Sequence, residues 1–359
     1  MHRVVHLITT ISRGGAENQL VTLVSEQVKS GREVTVIYLK GNPELSPVFR
    51  SAGAAVLDIL AKKSFIRQII TLRKFLNYNE CILHAHLPKA ELLAAICARK
   101  NFLVISKHNS EQFFPKAPRF LSLLLARYVY RKSRQCVFIS KAVLNFLLNN
   151  REVYSSKKNK VVYYGIATKK CKKSLKKHLE NKITIGTIAR IVDQKDYSTL
   201  IKAFKIYRDY NKHAKLLVFG EGNRQNEMIQ LTKELRISSH VNWRGRTSRV
   251  GTAFRQMDIF VLASKYEGFG LVLLEAMQHS VPIIASRASA IPEVTGVKYP
   301  GLFQPGDVDD LVFKLKQAQA FAFLKSLISG YENRLSNFGA SKMLRHIDSV
   351  YAEATKVDK

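Results

Sequence analysis

A chain of 359 residues is long enough to form two domains of ordinary size, each with its own hydrophobic core. Its hydrophobic content of 46% is typical of a folded globular protein and excludes a disordered one. The formal net charge of +31 predicts an anionic partner, either nucleic acid or a membrane surface rich in acidic lipids, and says nothing about the fold.

The positive charge is concentrated toward the N-terminus. Residues 1–165 carry a net charge of +17, residues 166–182 carry +6, and the remainder carries +8. The four cysteines have no ligand-like spacing, so we expect a reducing compartment, no disulfide framework and no zinc site; they are Cys81, Cys97, Cys136 and Cys171. Because the sequence lacks a run of about 18 apolar residues and a signal peptide, we expect a cytoplasmic protein, peripheral on the inner face of the cell membrane.

The chain begins with a pattern of alternating strands and helices. A buried strand is predicted at Arg3–Ile8, then a loop with Gly14 and Gly15, an amphipathic helix at Glu17–Lys29 and a strand at Glu33–Leu39. This order is that of half a Rossmann fold, which leaves the glycine loop at the carboxyl edge of the sheet, where ligands bind. The G-x-G-x-x-G fingerprint of dinucleotide-binding proteins is missing.

Two later segments combine cations with apolar residues. Ala61–Asn77 includes Lys62 and Lys63 and has a helical apolar stripe, and Pro118–Arg134 is a second apolar run bounded by arginines. Such helices can lie in a membrane interface with their cations toward anionic headgroups. The alternative, which we favour from sequence alone, is a surface helix whose apolar stripe packs on its own sheet.

Histidines end two predicted strands in this half. His84 and His86 end the strand at Cys81–His86; we predict that their side chains point to opposite or staggered faces and make a poor metal pair. His108 lies just past the strand at Leu103–His108, where a loop is expected to open onto a cleft. A purely structural histidine is the alternative. Further strands are predicted at Cys136–Ser140 and Lys160–Tyr164.

A lysine-rich segment, Gly165–Lys182, has few large apolar residues and predicts a domain boundary near residue 166. A second set of alternating strands and helices follows, beginning at Lys182–Ile188. Arg190 and Lys195 then flank a turn before a helix that begins near Tyr197. Two cations beside a helix N-terminus predict an anion site, although two solvated basic residues are the alternative in so basic a protein.

Two glutamates surround the next glycine loop. The strand Met257–Ala263 leads to Glu267, the glycine loop at 268–270 and a helix at Leu271–Gln278 that contains Glu275. Glycines at this junction let a ligand approach the backbone, and free amides in the first helical turn can hold a phosphate. The alternative is a solvated loop charge at Glu267 and a partly exposed helix residue at Glu275.

The seven residues between these glutamates give an E-x7-E motif that resembles the retaining glycosyltransferases of family 4, which have the GT-B fold of two facing Rossmann-like domains. The resemblance implies that Glu267 and the backbone after it contact the donor sugar, and that Glu275 holds the ribose hydroxyls. It implies that Arg190 and Lys195 bind the diphosphate. The backbone residues concerned are Gly268, Phe269, Gly270 and Leu271.

The resemblance extends to looser motifs elsewhere in the chain. Gly15, in the sequence Gly-Gly-Ala-Glu, would face the donor diphosphate and the acceptor, and Gly245 would edge the base. His108 would contact the donor sugar or the acceptor. Two departures occur: Tyr164-Gly165-Ile166-Ala167 replaces the usual Asn-Gly-Ile-Asp, and Ser289-Ala290 replaces a glycine pair, which narrows the room near the second phosphate.

The resemblance implies an α/β protein of the GT-B class, together with a role for each domain and a glycosyltransferase activity. Residues 1–165 would bind the acceptor, residues 166–338 the nucleotide-sugar, and residues 339–359 would form a C-terminal helix that packs back on the first domain. The expected activity is transfer of a hexose or N-acetylhexosamine, with retention, from a nucleotide-sugar whose expected nucleotide is UDP. No metal and no cofactor is expected. The basic first domain suggests a lipid-linked glycan or a lipopolysaccharide intermediate as acceptor, at an anionic membrane surface.

Three other functions are considered. A nucleotide-sugar epimerase and a soluble-acceptor transferase of the same fold are distinguished from the leading hypothesis by their products. A nucleic-acid-binding protein is suggested by charge alone and would bind with a steep dependence on salt. Since the sequence has no recognition motif or aromatic–basic platform, we expect no nucleic-acid partner.

Overall fold

The computed structural model describes residues 3–98, 101–167 and 182–356. Most of the lysine-rich segment, including Cys171, lies outside the described residues. The chain divides into two compact units: Met1–Ala167 with Phe338–Lys359, called unit 1 here, and Thr168–Asn337, called unit 2. Among the described residues, no helix combines the length and apolarity needed to cross a bilayer.

Unit 1 is built on a seven-stranded sheet of order β3-β2-β1-β4-β5-β6-β7 in which every pairing is parallel. Its first and fourth strands are buried along their whole length, as expected of a parallel sheet covered on both faces. The strands are β1 Val4–Ile8, β2 Val34–Tyr38, β3 Ala55–Leu57, β4 Ile82–His86, β5 Phe102–Lys107, β6 Gln135–Phe138 and β7 Asn159–Val161.

The helices of unit 1 cover this sheet with apolar stripes. From the N-terminus they are α1 Gly15–Lys29, α2 Ser46–Ser51, α3 Phe65–Asn77, α4 Pro88–Cys97, α5 Arg119–Lys132 and α6 Lys141–Asn149. On α1, Leu20, Leu23 and Val24 face the core at helical spacing. Crossovers of strand, helix and parallel strand therefore account for most of the unit.

Unit 2 has a six-stranded parallel sheet of order β10-β9-β8-β11-β12-β13. Its strands are β8 Thr184–Ile188, β9 Lys215–Phe219, β10 Val241–Trp243, β11 Ile259–Leu262, β12 Ile283–Ser286 and β13 Leu302–Phe303. Its helices are α7 Tyr197–Tyr210, α8 Gln225–Glu234, α9 Val250–Phe254, α10 Leu271–Gln278, α11 Ile291–Thr295, α12 Val308–Gln317, α13 Phe321–Ile328 and α14 Tyr331–Ser336.

The last helix, α15 Ala340–Ala354, belongs to unit 1 and packs against α1 and β6. The amide of Ala340 donates to the carbonyl of Ile166 at 3.1 Å, which fixes its first turn. A Cβ on Gly165 would lie 2.6 Å from the Cα of Ala340, so this close approach requires glycine. Asp348 pairs with Arg32 of unit 1 at 2.5 Å.

Each sheet has a topological switch point, where strands run outward in both directions from its first strand. In unit 1 this point lies between β1 and β4, and in unit 2 it lies between β8 and β11. Ligands of open α/β sheets bind outside the carboxyl ends of the strands at such points. The loops that follow these strands are therefore the first places to look for a site.

Candidate functional site

The switch point of unit 2 brings together the two loops that the sequence singled out. β8 and β11 are neighbours in the sheet, with Ile185 paired to Ile259. The loop after β8 carries Arg190 and Lys195, and the loop after β11 carries Glu267. Because parallel strands end at the same edge, these side chains share one edge of the sheet.

Lys195 and Glu267 form an ion pair at this edge of the sheet. The Lys195 Nζ lies 2.5 Å from the Glu267 Oε1, and their side chains are 14% and 7% exposed. The hydroxyl of Ser264 donates to the same carboxylate oxygen at 2.7 Å. Ser264 is itself fixed, since its carbonyl accepts from the Ser286 hydroxyl at 2.6 Å. The Glu267 carboxylate is therefore held in one orientation.

Further contacts fasten the two loops to each other. The Gln194 side-chain amide donates to the carbonyl of Tyr266 at 2.9 Å, and the backbone amide of Lys265 donates to the carbonyl of Gln194 at 2.8 Å. Lys265 also pairs with Asp193 at 2.8 Å and holds the pKa of that carboxyl below its usual value, although both side chains are exposed. The two loops thus form one fastened structure within unit 2.

The two ion pairs that join these loops are expected to contribute differently to the free energy of unfolding, because one is nearly buried and the other is exposed. Glu267→Gln is expected to lower the free energy of unfolding of unit 2 by about 1–3 kcal/mol, because it leaves the ammonium of Lys195 without its anion in a nearly buried position. Asp193→Asn, the matched control, should leave stability nearly unchanged, since exposed ion pairs contribute little. Urea unfolding followed by Trp243 fluorescence measures both. Equal stability of the two variants would contradict the account.

The glycine loop leads directly into α10. Gly270 caps this helix with a φ of +91°, a left-handed conformation that favours glycine. Phe269 is buried, so its ring anchors the loop in the core of unit 2. Leu271 is the first residue of α10, and amides in a first helical turn have no partner four residues earlier in the chain, although that of Leu273 donates to the carbonyl of Gly270 at 2.9 Å. The loop therefore has the geometry of an anion-binding helix N-terminus.

Glu275 stands in the second turn of α10 and is partly buried. Its carboxylate makes no hydrogen bond or ion pair with any residue that the structure describes. Burial raises the pKa of this carboxyl above its usual value. A half-buried acceptor without a donor is destabilising in the fold, and it is suited to accept hydrogen bonds from a ligand.

Arg190 is exposed, and within the described parts of the chain its guanidinium has no side-chain partner. Nearby, Gly220 donates its amide to the carbonyl of Gly245 at 2.8 Å. A Cβ on Gly220 would lie 1.9 Å from the carbonyl oxygen of Ala189, which explains why a glycine directly follows β9. Gly245 has a φ of +66° and lies at the same carboxyl edge of the sheet.

The other two candidates, His108 and Gly15, lie in unit 1. Gly15 is exposed and is the first residue of α1, with open space where a Cβ would stand. His108 accepts or donates through both ring nitrogens: Nδ1 faces the Tyr164 hydroxyl and Nε2 lies 3.1 Å from the Nδ1 of His86. Burial, followed by the charge of Lys107, lowers the pKa of His108 to about 3, so the ring is neutral at ordinary pH.

His108 also lines a cavity of about 200 Å³ at the carboxyl end of β5. Apolar and charged groups share its wall, including Phe113 and a buried ion pair between Lys107 and Glu91 at 2.5 Å. Lys107 also lies 4.3 Å from the centre of the Phe113 ring. The wall thus combines apolar surface with a few charged and polar groups, as small-molecule sites do.

The prediction that His84 and His86 diverge is wrong. Residues two apart on a strand lie on the same face, and their ring centres are 4.2 Å apart. His6, on the neighbouring strand β1, pairs in register with His84, and the three residues offer ring nitrogens within 4.8 Å of one another. The period of two in His-Ala-His was the signal that sequence analysis misjudged.

Two family models match the chain: "Glycosyl transferases group 1" over residues 169–320 and "Glycosyltransferase Family 4" over residues 13–170. N-acetyl-α-D-glucosaminyl L-malate synthase of Bacillus anthracis is 32% identical over 151 residues, which are 41% of this chain and 39% of that protein. N-acetylgalactosamine-N,N'-diacetylbacillosaminyl-diphospho-undecaprenol 4-α-N-acetylgalactosaminyltransferase of Campylobacter jejuni is 26% identical over 228 residues, 62% of this chain and 61% of that protein. The chain thus spans less than two thirds of either relative.

Among solved structures, HepE of Anabaena in complex with UDP and glucose has a TM-score of 0.83 at 18% identity, covering 98% of this chain and 100% of that one. At this identity the likeness bears on the fold alone. It confirms the GT-B class predicted from the sequence, with its two Rossmann-like α/β parts.

Proposed function

The chain belongs to the group 1 glycosyltransferases of family 4, and on this basis we propose that it is a retaining enzyme that moves a hexose or N-acetylhexosamine from a UDP-sugar to an acceptor. The observation that carries the proposal is Glu275. It is a partly buried carboxylate without a partner among the described residues, in the second turn of the helix that begins at the glycine loop.

In this proposal Glu275 accepts hydrogen bonds from the two ribose hydroxyls of the donor. Arg190 and the first turn of α10 receive the diphosphate, whose charge grows as the bond to the sugar breaks. Lys195 takes part as well, since an ammonium has three donors and its pairing with Glu267 uses one of them. Groups that act on developing charge lower the barrier more than they tighten ground-state binding.

Glu267 then orients the donor sugar. Its carboxylate is fixed by Lys195 and Ser264, so a sugar hydroxyl would meet a preorganised acceptor rather than a mobile one. The backbone from Gly268 to Leu271 would line the same position. In unit 1, His108 and Gly15 stay candidates for contacts with the sugar, the diphosphate or the acceptor.

The proposed acceptor is a lipid-linked glycan or a lipopolysaccharide intermediate, on the inner face of the cell membrane. The Campylobacter jejuni relative is named for a diphospho-undecaprenol substrate, and the HepE structure holds UDP and glucose. The first supports a lipid-linked acceptor for this chain, and the second supports a nucleotide-sugar donor. The strong positive charge of residues 1–165 has the sign that an acidic membrane surface attracts.

The surface that carries Lys62, Lys63 and the exposed apolar residues of α3 supports the membrane part of the proposal. Leu72 and Leu76 bury one face of α3 in the core, while Ile66 and Ile70 on its other face are 71% and 63% exposed. Phe120 on α5 is 73% exposed, and both helices pack against α4. One face of α3 therefore packs on its own unit, and the opposite face has the exposed apolar residues expected of a helix that lies in a membrane interface.

Replacing Lys62 and Lys63 together by alanine is expected to weaken binding to vesicles that contain acidic lipid by roughly 30-fold, since each cation near the surface contributes about 1 kcal/mol. Vesicle sedimentation measures the change. The control, Lys202→Ala with Lys298→Ala, removes the same charge from exposed positions of unit 2. If the double variant of unit 1 binds vesicles like wild type, or if the control falls equally, this surface is not the membrane contact.

The decisive experiment for the function is product analysis with a panel of UDP-sugars and lipid-diphosphate or soluble acceptors. The proposal predicts that UDP is released only with acceptor present and that NMR of the product shows the anomeric configuration of the donor. Arg190→Ala should slow this release. An inverted linkage would contradict retention, and a donor converted without acceptor would instead favour an epimerase.

A further inference from the structure

A continuous chain of hydrogen bonds runs through the interior of unit 1. It includes four histidines, one glutamine, one serine and two tyrosines, from β1, β4, β5, α1, α15 and adjacent loops. His6 and His84 are fully buried and His86 is 3% exposed. The members, in the order of their contacts, are Tyr164, His108, His86, His6, Gln27, Tyr351, His84 and Ser106.

The distances along this buried chain are those of ordinary hydrogen bonds. His108 and His86 are joined at 3.1 Å, His86 and His6 at 3.0 Å, and His6 and Gln27 at 2.8 Å. Beyond Gln27 the chain continues to Tyr351 at 3.2 Å. The Tyr351 hydroxyl then meets His84 at 2.7 Å, and His84 meets Ser106 at 2.7 Å.

The amide of Gln27 gives this chain a direction. Its nitrogen lies against the Tyr351 hydroxyl and its oxygen against the Nε2 of His6, so Nε2 of His6 has to donate. A neutral imidazole has one donor and one acceptor, which leaves the Nδ1 of His6 to accept from His86. The Nε2 of His86 is therefore a donor, which leaves the Nδ1 of His86 to accept from the Nε2 of His108. The Nε2 of His108 is a donor for the same reason.

All four rings are neutral near pH 7, which this argument requires. Burial lowers the pKa of His6 to about 4 and that of His108 to about 3, and it places the pKa values of His84 and His86 well below the usual value. Reversing one ring would leave two donors or two acceptors face to face. The chain therefore reverses as a whole or not at all.

A metal site is the competing explanation for His6, His84 and His86, whose ring nitrogens lie within 4.8 Å of one another. Both ring nitrogens of each of these three histidines already face a hydrogen-bonding partner in the chain described above. The group also has no carboxylate to offset a buried dication. The contacts therefore favour hydrogen bonds over coordination.

We propose that Gln27, His6 and His86 are positioning residues that hold His108 in its Nε2–H tautomer, with Nδ1 as a hydrogen-bond acceptor. In the structure this acceptor faces the Tyr164 hydroxyl. A ligand group that takes the place of that hydroxyl has to be a donor, such as a sugar O–H, while a phosphate or carboxylate oxygen would be rejected. This specificity rests on the proposed function, but the tautomer itself does not.

Long-range proton–nitrogen NMR of the full chain, labelled with ¹⁵N-histidine, reads each tautomer directly. At pH 7 His6, His86 and His108 are expected to carry the proton on Nε2. The same holds for His84, because the Tyr351 hydroxyl accepts from Gln27 and therefore donates to the Nδ1 of His84. Any of them found as Nδ1–H or as imidazolium would overturn the proposal, and so would one equivalent of zinc in the purified protein. Because no substrate is needed, this test is independent of whether glycosyl transfer is found.

Gln27→Met removes the group that sets the direction while keeping a similar volume. His6, His86 and His108 are expected to become mixtures of tautomers together. The control is Gln68→Met, which alters another buried glutamine of unit 1 that donates to the carbonyls of Leu39 and Leu60; it should leave the four rings unchanged. A folded Gln27→Met protein in which His108 stays purely Nε2–H would overturn the role of Gln27. If that variant does not fold, the wild-type spectrum still shows which ring nitrogens donate and so tests the direction of the hydrogen-bond chain.

Discussion

Glu275→Ala is expected to weaken UDP binding by about 3 kcal/mol, or roughly 100-fold, because hydrogen bonds to a charged acceptor contribute about 1.5–3 kcal/mol each. The carboxylate of Glu275 is already desolvated and unpaired among the described residues, so a ribose would gain these bonds without displacing a protein partner. Calorimetric titration with UDP measures the change. Glu234→Ala, at an exposed position of unit 2, is the control and should bind UDP like wild type.

The same carboxylate should reduce the stability of the free protein. Since burial raises the pKa of Glu275, the folded state binds a proton more tightly than the unfolded state, and stability falls as the pH rises through the raised pKa. Glu275→Gln should therefore raise the melting temperature at pH 7.5, and this gain should disappear in acid. Equal UDP affinity of Glu275→Ala and wild type would contradict the ribose assignment.

Lowering the pH from 7.5 to 5.5 is expected to destabilise unit 1 strongly. His6, His84 and His86 have lowered pKa values because they are buried, so below pH 6.5 the unfolded chain takes up protons that the folded chain does not. Each ring then contributes a loss of about 1.4 kcal/mol per pH unit, which continues until the folded pKa is reached, at about 4 for His6. Burial raises the pKa values of Glu91 and Glu152, which opposes part of this loss.

Hydrogen exchange of the amides of β1 and β4 measures this effect at both pH values. Trp243, the single tryptophan, reports unfolding of unit 2 and supplies an internal comparison, which should change less. Unchanged protection of β1 and β4 between pH 7.5 and 5.5 would show that these histidines are not buried as neutral rings.

Local periodicity predicted the elements that position the site, because their apolar spacing depends on near neighbours. The strand predicted at Arg3–Ile8 is observed at Val4–Ile8, and the helix predicted at Leu271–Gln278 has those bounds. Shorter strands were predicted less well: Lys160–Tyr164 was expected, while β7 is Asn159–Val161. An edge strand has one partner, so its ends depend on contacts that the pattern does not encode.

Contacts between distant residues were not predictable in the same way. The sequence placed Lys195 and Glu267 in the same site, but it gave no sign that they pair with each other, since 72 residues separate them. The role of Ser264 in fixing that carboxylate was missed for the same reason. The interior histidines were misjudged because the face of a strand was assigned wrongly at His84 and His86.

The central claim is that the loops after β8 and β11 hold the nucleotide, and hydrogen–deuterium exchange with and without UDP tests it most directly. The account predicts slower exchange in residues 188–196 and 264–275 when UDP is added, and a smaller effect in Glu275→Ala. Unchanged exchange in both segments at saturating UDP would contradict it.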